Sequence, residues 1–314
     1  MSYVKKSVPI VMSVLLVGLM VFASTVLGER EIIFPEIAAI AVGAMISPKI
    51  TWNVSKPRIF VCIVICAVCG MLIVRFLPLP VWSQMIVGYV IAQAVLIVSK
   101  TSFAPMISAM VLPIMLQTTA PIYIVSAVIL TAFILLCRII LEKAKIADPS
   151  RYEKPVQIDK SDIMRLLIRS LLASTVITAG ILTGWGFIAA PPLLVAFTEL
   201  SGVKCPERKR LLAIPAIITL GAVIGTGFRY LFTIMMGLPL WLSAMAAILA
   251  VILLMRGVKM YIPPAGAIAI LAMLIPESTL MLFPLEILIG ICVLTILARI
   301  FHLIVPKFKK SPVH

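Results

Sequence analysis

Leu79-Pro80-Val81-Trp82 is a short motif that recurs later in the chain as Leu238-Pro239-Leu240-Trp241, and each copy opens a long apolar run. Further residues match in the same order around the two motifs: Arg75 with Arg229, Lys100 with Lys259, Pro105 with Pro264, and Arg138 with Arg299. Because chance similarity between apolar segments rarely preserves such an order, we interpret the chain as two copies of one unit.

The composition places both copies in a membrane. Of the 314 residues, 62% are hydrophobic and 12% are charged, and the mean hydropathy is +1.20. A soluble domain carries roughly a quarter charged residues. Most of the apolar surface must therefore face lipid, and we expect the bilayer to be the main partner.

Long and short apolar segments follow a rhythm of long, short, long, long, short and long, which occurs twice. A helix needs about 20 apolar residues to cross the hydrocarbon region. The predicted segments are 7–28, 33–47, 58–77, 81–98, 103–116 and 121–141, then 163–184, 187–200, 211–234, 240–255, 263–274 and 283–305. The sequence predicts an all-α polytopic membrane protein of about 12 transmembrane segments. Residues 1–142 and 163–314 form two parallel six-helix repeats, each with two short helices, and residues 143–162 form a cytoplasmic linker.

The basic residues indicate how the chain is oriented, because Lys and Arg are held on the cytoplasmic side during insertion. If every segment crosses, only Arg30, Arg75 and Arg229 of the 27 basic residues fall on the outer side. We therefore predict a multi-pass protein of the cell (inner or plasma) membrane with cytoplasmic N- and C-termini.

The net charge of +15 lies in short loops rather than on a solvated face, which argues against nucleic acid as a partner.

An even number of crossings in each copy means that both copies insert in the same direction. Such parallel repeats are related by an axis along the membrane normal, as in some transporter halves. The sequence therefore predicts a binding site where the two copies meet.

Three proline-marked stretches stand out in the second copy: Ala-Pro-Pro-Leu-Leu-Val-Ala-Phe at 190–197, Cys-Pro-Glu-Arg-Lys-Arg at 205–210 and Ile-Pro-Pro-Ala-Gly-Ala at 262–267. They resemble the HPP family of membrane proteins, which is named for a His-Pro-Pro tripeptide that opens a short helix. Ile262 stands where that family has its histidine, and the first copy keeps only Pro105 of the proline pair. Some members are associated with nitrite transport, so the resemblance implies a small anion. The layout also resembles the fusaric-acid-resistance and aromatic-acid exporter proteins.

The prolines of the short segments are candidate substrate-binding positions. Proline suits the first turn of a helix, and a helix that begins inside the membrane directs its positive dipole end at an anion. The positions are Pro105, Pro191, Pro192, Pro263 and Pro264, with Gly266 beside the last pair. The alternative is that these prolines mark ordinary helix starts and that Gly266 only lets helices pack closely.

Charged residues inside apolar segments supply the other candidates. Arg75 and Arg229 occupy matched positions at the outer ends of long segments, where they would attract an anion or simply extend to water. Glu36 and Glu199 lie in short segments, where a buried carboxyl could carry a proton and one near the interface would be solvated. Glu286 follows Pro284 at a helix start and is interpreted as a helix cap.

The sequence contains few residues of the kinds that usually form catalytic or metal sites. His302 and His314 are the only histidines. The six cysteines are not accompanied by a group of other residues that could complete a metal site. We expect no metal, no cofactor and no enzymatic activity.

The leading functional hypothesis is a secondary carrier or channel-like transporter for a small anion or organic acid, and a homo-oligomer is compatible with it. The alternative is a non-transporting membrane scaffold for a partner enzyme or envelope component. An intramembrane enzyme acting on lipid is disfavoured, because ionisable residues do not cluster within the bilayer segments.

Overall fold

The computed structural model describes residues 3–48, 50–149, 152–153, 160–202 and 212–305, and within these ranges the chain is helical without a strand. Part of the predicted linker, the stretch Cys205–Arg210 and the basic C-terminal tail lie outside the described residues.

The described part of the first half contains six α-helices, which alternate in length much as the apolar runs do. They are α1 (Tyr3–Leu27), α2 (Glu36–Ala41, continued by a π-helical turn Val42–Ile46), α3 (Lys56–Phe76), α4 (Val81–Val98), α5 (Pro105–Leu116) and α6 (Ile122–Lys143). The helices of the second half are α7 (Lys160–Leu182), α8 (Pro191–Leu200), α9 (Ala213–Phe228, continued by a π-helical stretch Arg229–Met235), α10 (Leu240–Val258), α11 (Pro263–Leu271), the single turn α12 (Glu277–Leu280) and α13 (Phe283–Ile304).

Among the described residues, eight helices are long and apolar enough to cross a membrane, namely α1, α3, α4, α6, α7, α9 with its π-helical extension, α10 and α13. Large apolar side chains stay exposed along their outer faces, for example Leu15, Leu19, Leu167 and Leu171. In water such a surface would be costly, whereas against lipid it is neutral or favourable. The predicted multi-pass membrane class is confirmed.

The four segments predicted to be short form the short helices α2, α5, α8 and α11, and nearly all of their described side chains are buried. The long helices surround them. Between the halves, α1 packs on α10, α4 on α7, α2 on α11 and α5 on α8. Within the halves, α3 packs on α5 and α6, as α9 packs on α11 and α13.

Glycines allow the long helices to approach the short ones closely. A Cβ on Gly70 of α3 would lie 2.2 Å from the carbonyl oxygen of Met110 in α5, and one on Gly225 of α9 would lie 2.4 Å from that of Ala269 in α11. Small residues at such contacts are typical of helix packing in membranes, where close backbone approach supplies the attraction.

Side-chain contacts at the helix ends show how the segments run. At one end of the molecule Lys56 of α3 pairs with Glu142 of α6, and the backbone N–H of Asn53 donates to Ser102, beyond the end of α4. We call this end, to which the linker belongs, the linker face. At the opposite end Gln117, after α5, donates to Gln84 near the start of α4.

The short helices begin inside the molecule. The chain leaves α1 at the end opposite the linker face and starts α2 at Glu36, which contacts Ser108 one turn into α5. From there α2 runs towards the linker face, where Thr51 donates to the carbonyl of Gly43. Since α5 runs from the linker side towards the opposite end, α2 and α5 are antiparallel and their N-terminal turns overlap.

Candidate functional site

The first turns of the four short helices line one small space at the centre of the helix bundle. Each helix contributes two residues three positions apart, and therefore on one helical face. The lining residues are Glu36 and Ala39 of α2, Pro105 and Ser108 of α5, Pro192 and Val195 of α8, and Pro264 and Ala267 of α11. The space between them has no room for a water molecule.

The N-terminal ends at this centre carry no side-chain caps. The cap positions of α2, α5, α8 and α11 make no side-chain hydrogen bond, and α5, α8 and α11 begin with proline. Proline removes N–H groups that would otherwise be unpaired. The first turns of the four helices nevertheless lie around one place, and the N-terminal end of a helix carries the positive end of its peptide dipole. Any positive potential at the centre would therefore come from these dipoles rather than from free N–H donors.

The C-terminal ends of the short helices, in contrast, are held by polar side chains. Arg138 donates to the carbonyl of Ala44 at the end of the π-turn after α2 (2.6 Å). His302 donates to Leu200 of α8 (3.0 Å), and Gln117 donates to Ile114 of α5 (2.6 Å). A cation or donor at a helix C-terminus satisfies orphan carbonyls and complements the negative dipole end. These contacts fix α2, α5 and α8 at their outer ends.

Arg229 belongs to the same class of contact. Its side chain is buried, and its Nη1 donates to the carbonyls of Ala272 (2.7 Å) and Ile275 (2.6 Å), just beyond α11. Arg75, its partner in the sequence match, is exposed at the end of α3 and lies over the ring of Phe76. Neither arginine lines the central space, so the matched pair occupies two different environments.

Among the described residues that line the central space, Glu36 alone is ionisable. It is 1% exposed, and its Oε1 accepts a hydrogen bond from the Ser108 hydroxyl. Its Oε2 has no hydrogen-bond partner. The ion pairs found among the described residues do not include Glu36. A buried carboxyl without a cation beside it is costly and marks a candidate functional position.

The second carboxyl candidate, Glu199, lies at the other end of α8, away from the centre. Its Oε1 accepts a hydrogen bond from the indole N–H of Trp52 (2.7 Å), which links the loop after α2 to the second half. The Trp52 ring fits over Gly43, where a Cβ would lie 2.2 Å from a ring carbon.

Glu286 accepts a hydrogen bond from the backbone N–H of Phe187 (2.8 Å), so it caps the short 3-10 turn Gly186–Ala189 before α8.

The remaining sequence candidates pack the helices around the centre. Pro191 and Pro263 are buried beside the lining residues Pro192 and Pro264. A Cβ on Gly266 would lie 3.2 Å from the carbonyl oxygen of Ala38, so this glycine lets α11 approach α2.

Comparison with known families bears on the second half of the chain. The model of the HPP transmembrane region matches residues 209–311. The HPP resemblance is thereby confirmed over this range, which contains α9 to α13 and the proline pair Pro263-Pro264. The first half and the stretch 190–197 lie outside the match. No curated protein and no solved structure matches the chain.

Beside the HPP-matched region, the structure contains a buried polar cluster that the sequence did not reveal. Arg169 of α7 donates to the Gln93 side chain (2.8 Å) and to the Ser201 carbonyl (3.3 Å). Gln93 donates to Thr198 (2.8 Å), which also contacts the Tyr89 hydroxyl (2.9 Å). The cluster joins α4 to α7 and α8 across the two halves. These residues are far apart in sequence, so only packing brings them together.

Ser108 was also missed, although the sequence held a signal for it. It follows Pro105 by three residues, as Ala267 follows Pro264. That spacing places both residues of each pair on the same helical face.

Among the described residues, no group of three His, Cys, Asp or Glu side chains could hold a metal ion.

Proposed function

We propose that this protein is a membrane transporter for a small anion, rather than an enzyme, and that the substrate binds where the short helices converge. The observation that carries the proposal is the meeting of four uncapped helix N-terminal ends at one buried space. Each helix contributes up to about half an elementary charge of positive potential at its N-terminus. In a water-poor interior this potential attracts an anion strongly.

We further propose that the chain is two parallel repeats of six segments. The pattern of helix contacts supports this, since α1 on α10 corresponds to α7 on α4, and α2 on α11 corresponds to α8 on α5. The contacts within the halves correspond in the same way. In this arrangement the start of α1 and the end of α13 lie at the linker face, and the positive-inside rule favours a cytoplasmic location for that face.

The lining limits which anions fit. Ala39, Val195 and Ala267 present only small apolar groups, and Ser108 and Glu36 supply the polar atoms. The space is closed, so binding requires the surrounding helices to separate. A carrier that alternates between open forms through such an occluded state is consistent with this geometry. A small monovalent anion fits best, and nitrite, which the HPP resemblance implies, is the first candidate.

Purified protein in liposomes tests the proposal directly. We expect uptake of nitrite, nitrate or a small carboxylate above that of empty liposomes. Ala267→Val adds volume to the central space and should reduce uptake several-fold. The control is Ala132→Leu, which changes an exposed position on α6. Thermal unfolding of each variant in detergent separates a blocked site from a misfolded protein.

The absence of flux for every small anion, with a well-folded protein, would contradict transport. Flux that Ala267→Val and Ala132→Leu change equally would contradict the central site. The alternative role, a membrane scaffold, predicts no flux together with a partner that co-purifies stoichiometrically.

A further inference from the structure

Glu36 has an environment that anion binding alone does not explain. In the other short helices, the residue at the corresponding place in the lining is Pro105, Pro192 or Pro264. Among the described residues that line the centre there is therefore one carboxyl, contributed by α2. An ionised carboxylate at this place would repel a second anion, so a transporter needs a way to remove its charge.

Within the part of the chain that the structure describes, no cation forms an ion pair with Glu36. Helices α5 and α11 contain no ionisable residue, and those of α1 are confined to its start, at Tyr3, Lys5 and Lys6. On α6, Tyr123 interacts electrostatically with Glu36, and its hydroxyl donates to the carbonyl of Ala109 (2.9 Å). The other ionisable groups of α6 lie at its far end, and they are Cys137, Arg138, Glu142 and Lys143. The ionisable residue of α8 is Glu199. Cys66 of α3 interacts with Tyr123 in turn.

The surroundings of Glu36 are compatible with two protonation states of its carboxyl group. As a carboxylate, Glu36 places its own negative charge at the positive helix ends and accepts a hydrogen bond from Ser108. As a neutral acid, it gains a proton on the oxygen that has no partner, Oε2. The helix dipoles are then left without a negative charge, which a substrate anion can supply.

We propose that Glu36 and the transported anion compete for the same positive centre, so that the anion binds only when Glu36 has taken up one proton. This inference rests on the proposed function and adds proton coupling to it. One proton and one monovalent anion enter together, and the site keeps the same net charge when empty and when loaded. Release of both restores the Glu36 carboxylate, which occupies the centre again.

The first test measures anion binding as a function of pH. Because one proton is taken up with each anion, the affinity should rise as the pH falls, by up to about tenfold per pH unit where Glu36 is otherwise ionised. Nitrite added to the protein in weakly buffered detergent solution should withdraw one proton per anion bound, read with a pH indicator. Glu36→Gln should bind nitrite without proton uptake and with little dependence on pH.

The second test measures transport. In liposomes, an inward proton gradient should drive the wild-type protein to accumulate nitrite several-fold. Glu36→Gln should exchange nitrite across the membrane without accumulating it. The matched control is Glu199→Gln, which changes the other short-helix carboxyl outside the central space and should remain driven by the gradient. Glu36→Asp serves as a second variant if Glu36→Gln does not fold.

The outcomes separate the two proposals. Gradient-driven accumulation by Glu36→Gln, or proton uptake that persists in it, would overturn the role of Glu36 and leave anion transport intact. Wild-type anion binding and flux that do not depend on pH would also overturn the role of Glu36 and leave anion transport intact. No binding, no proton uptake and no flux in the wild-type protein would overturn the proposed function and the coupling with it.

Discussion

At the scale of single residues, the buried charges of this protein divide by what they contact. Arg138 and Arg229 donate to carbonyl groups at the ends of short helices, which satisfies backbone acceptors that lipid could not. Glu36 instead faces the place where the helices begin and keeps one oxygen unpaired. Cations therefore hold the outer ends of α2 and α11, while the carboxyl of Glu36 lies where the short helices begin.

Replacement of Arg229 tests its role as a helix cap. In Arg229→Met the carbonyls of Ala272 and Ile275 lose their donor, and leaving a buried acceptor unpaired costs about 1–3 kcal/mol. We expect a clearly lower thermal unfolding temperature in detergent. Arg75→Met is the matched control, because Arg75 is exposed, and its unfolding temperature should stay close to wild type.

Flux measured on the same two variants addresses anion attraction. If Arg75→Met and Arg229→Met together leave uptake per folded molecule unchanged, the arginine pair plays no electrostatic part in transport. A loss of uptake in Arg75→Met alone, with normal stability, would instead place Arg75 on the outer approach to the site.

At the scale of helices, the position of the short helices depends on glycines in the long ones. Gly225 lies against the backbone of α11, and Gly70 lies against that of α5. Because the obstructing atoms are backbone carbonyl oxygens, a side chain at either glycine would push a short helix away from the centre. Helix packing and the geometry of the site are coupled through these contacts.

Gly225→Ala and Gly227→Ala form a pair that tests this coupling within one helix. A Cβ at Gly225 would lie 2.4 Å from the Ala269 oxygen, whereas one at Gly227 would meet nothing within 4 Å. We expect Gly225→Ala to destabilise the protein by about 1–3 kcal/mol, as overpacking does, and to reduce flux. Gly227→Ala should be neutral or slightly stabilising, because alanine is the better helix former. Equal unfolding temperatures for the two variants would contradict the close contact.

At the scale of the whole molecule, helix order and contacts place the start of α1 and the end of α13 at the linker face. This agrees with an even number of crossings in each half. Our proposal of a cytoplasmic linker face rests on the positive-inside rule, because the sequence predicts most of the 27 basic residues on the linker side.

Reporter fusions test that orientation. Green fluorescent protein fused after residue 143 or at the C-terminus should fluoresce, and alkaline phosphatase at the same points should be inactive. Fusions within residues 117–121, at the opposite end, should give the reverse. Active phosphatase at the C-terminus would invert the predicted orientation, and unlike results at residue 143 and the C-terminus would contradict parallel halves.

The sequence by itself determined the membrane class, the helical segments and the places where short helices begin. Long apolar runs can satisfy their backbone only as helices in lipid, and proline marks a helix start through its own geometry. These are properties of adjacent residues, so they can be derived from the chain without knowing its packing. Pro105 and Pro264 were located in this way, as was the resemblance later matched over residues 209–311.

The tertiary structure alone decided which polar groups meet. Glu36 and Glu199 looked alike in the sequence, yet one lies at the convergent helix starts and the other bonds to Trp52. Arg75 and Arg229 looked equivalent, yet only Arg229 reaches the end of α11. The physical reason is that hydrogen-bond partners and burial depend on contacts between helices distant in the chain. The repeated sequence predicted a site between the halves, which stays a prediction, and the packing of the four short helices brought Glu36 to the space where their first turns meet.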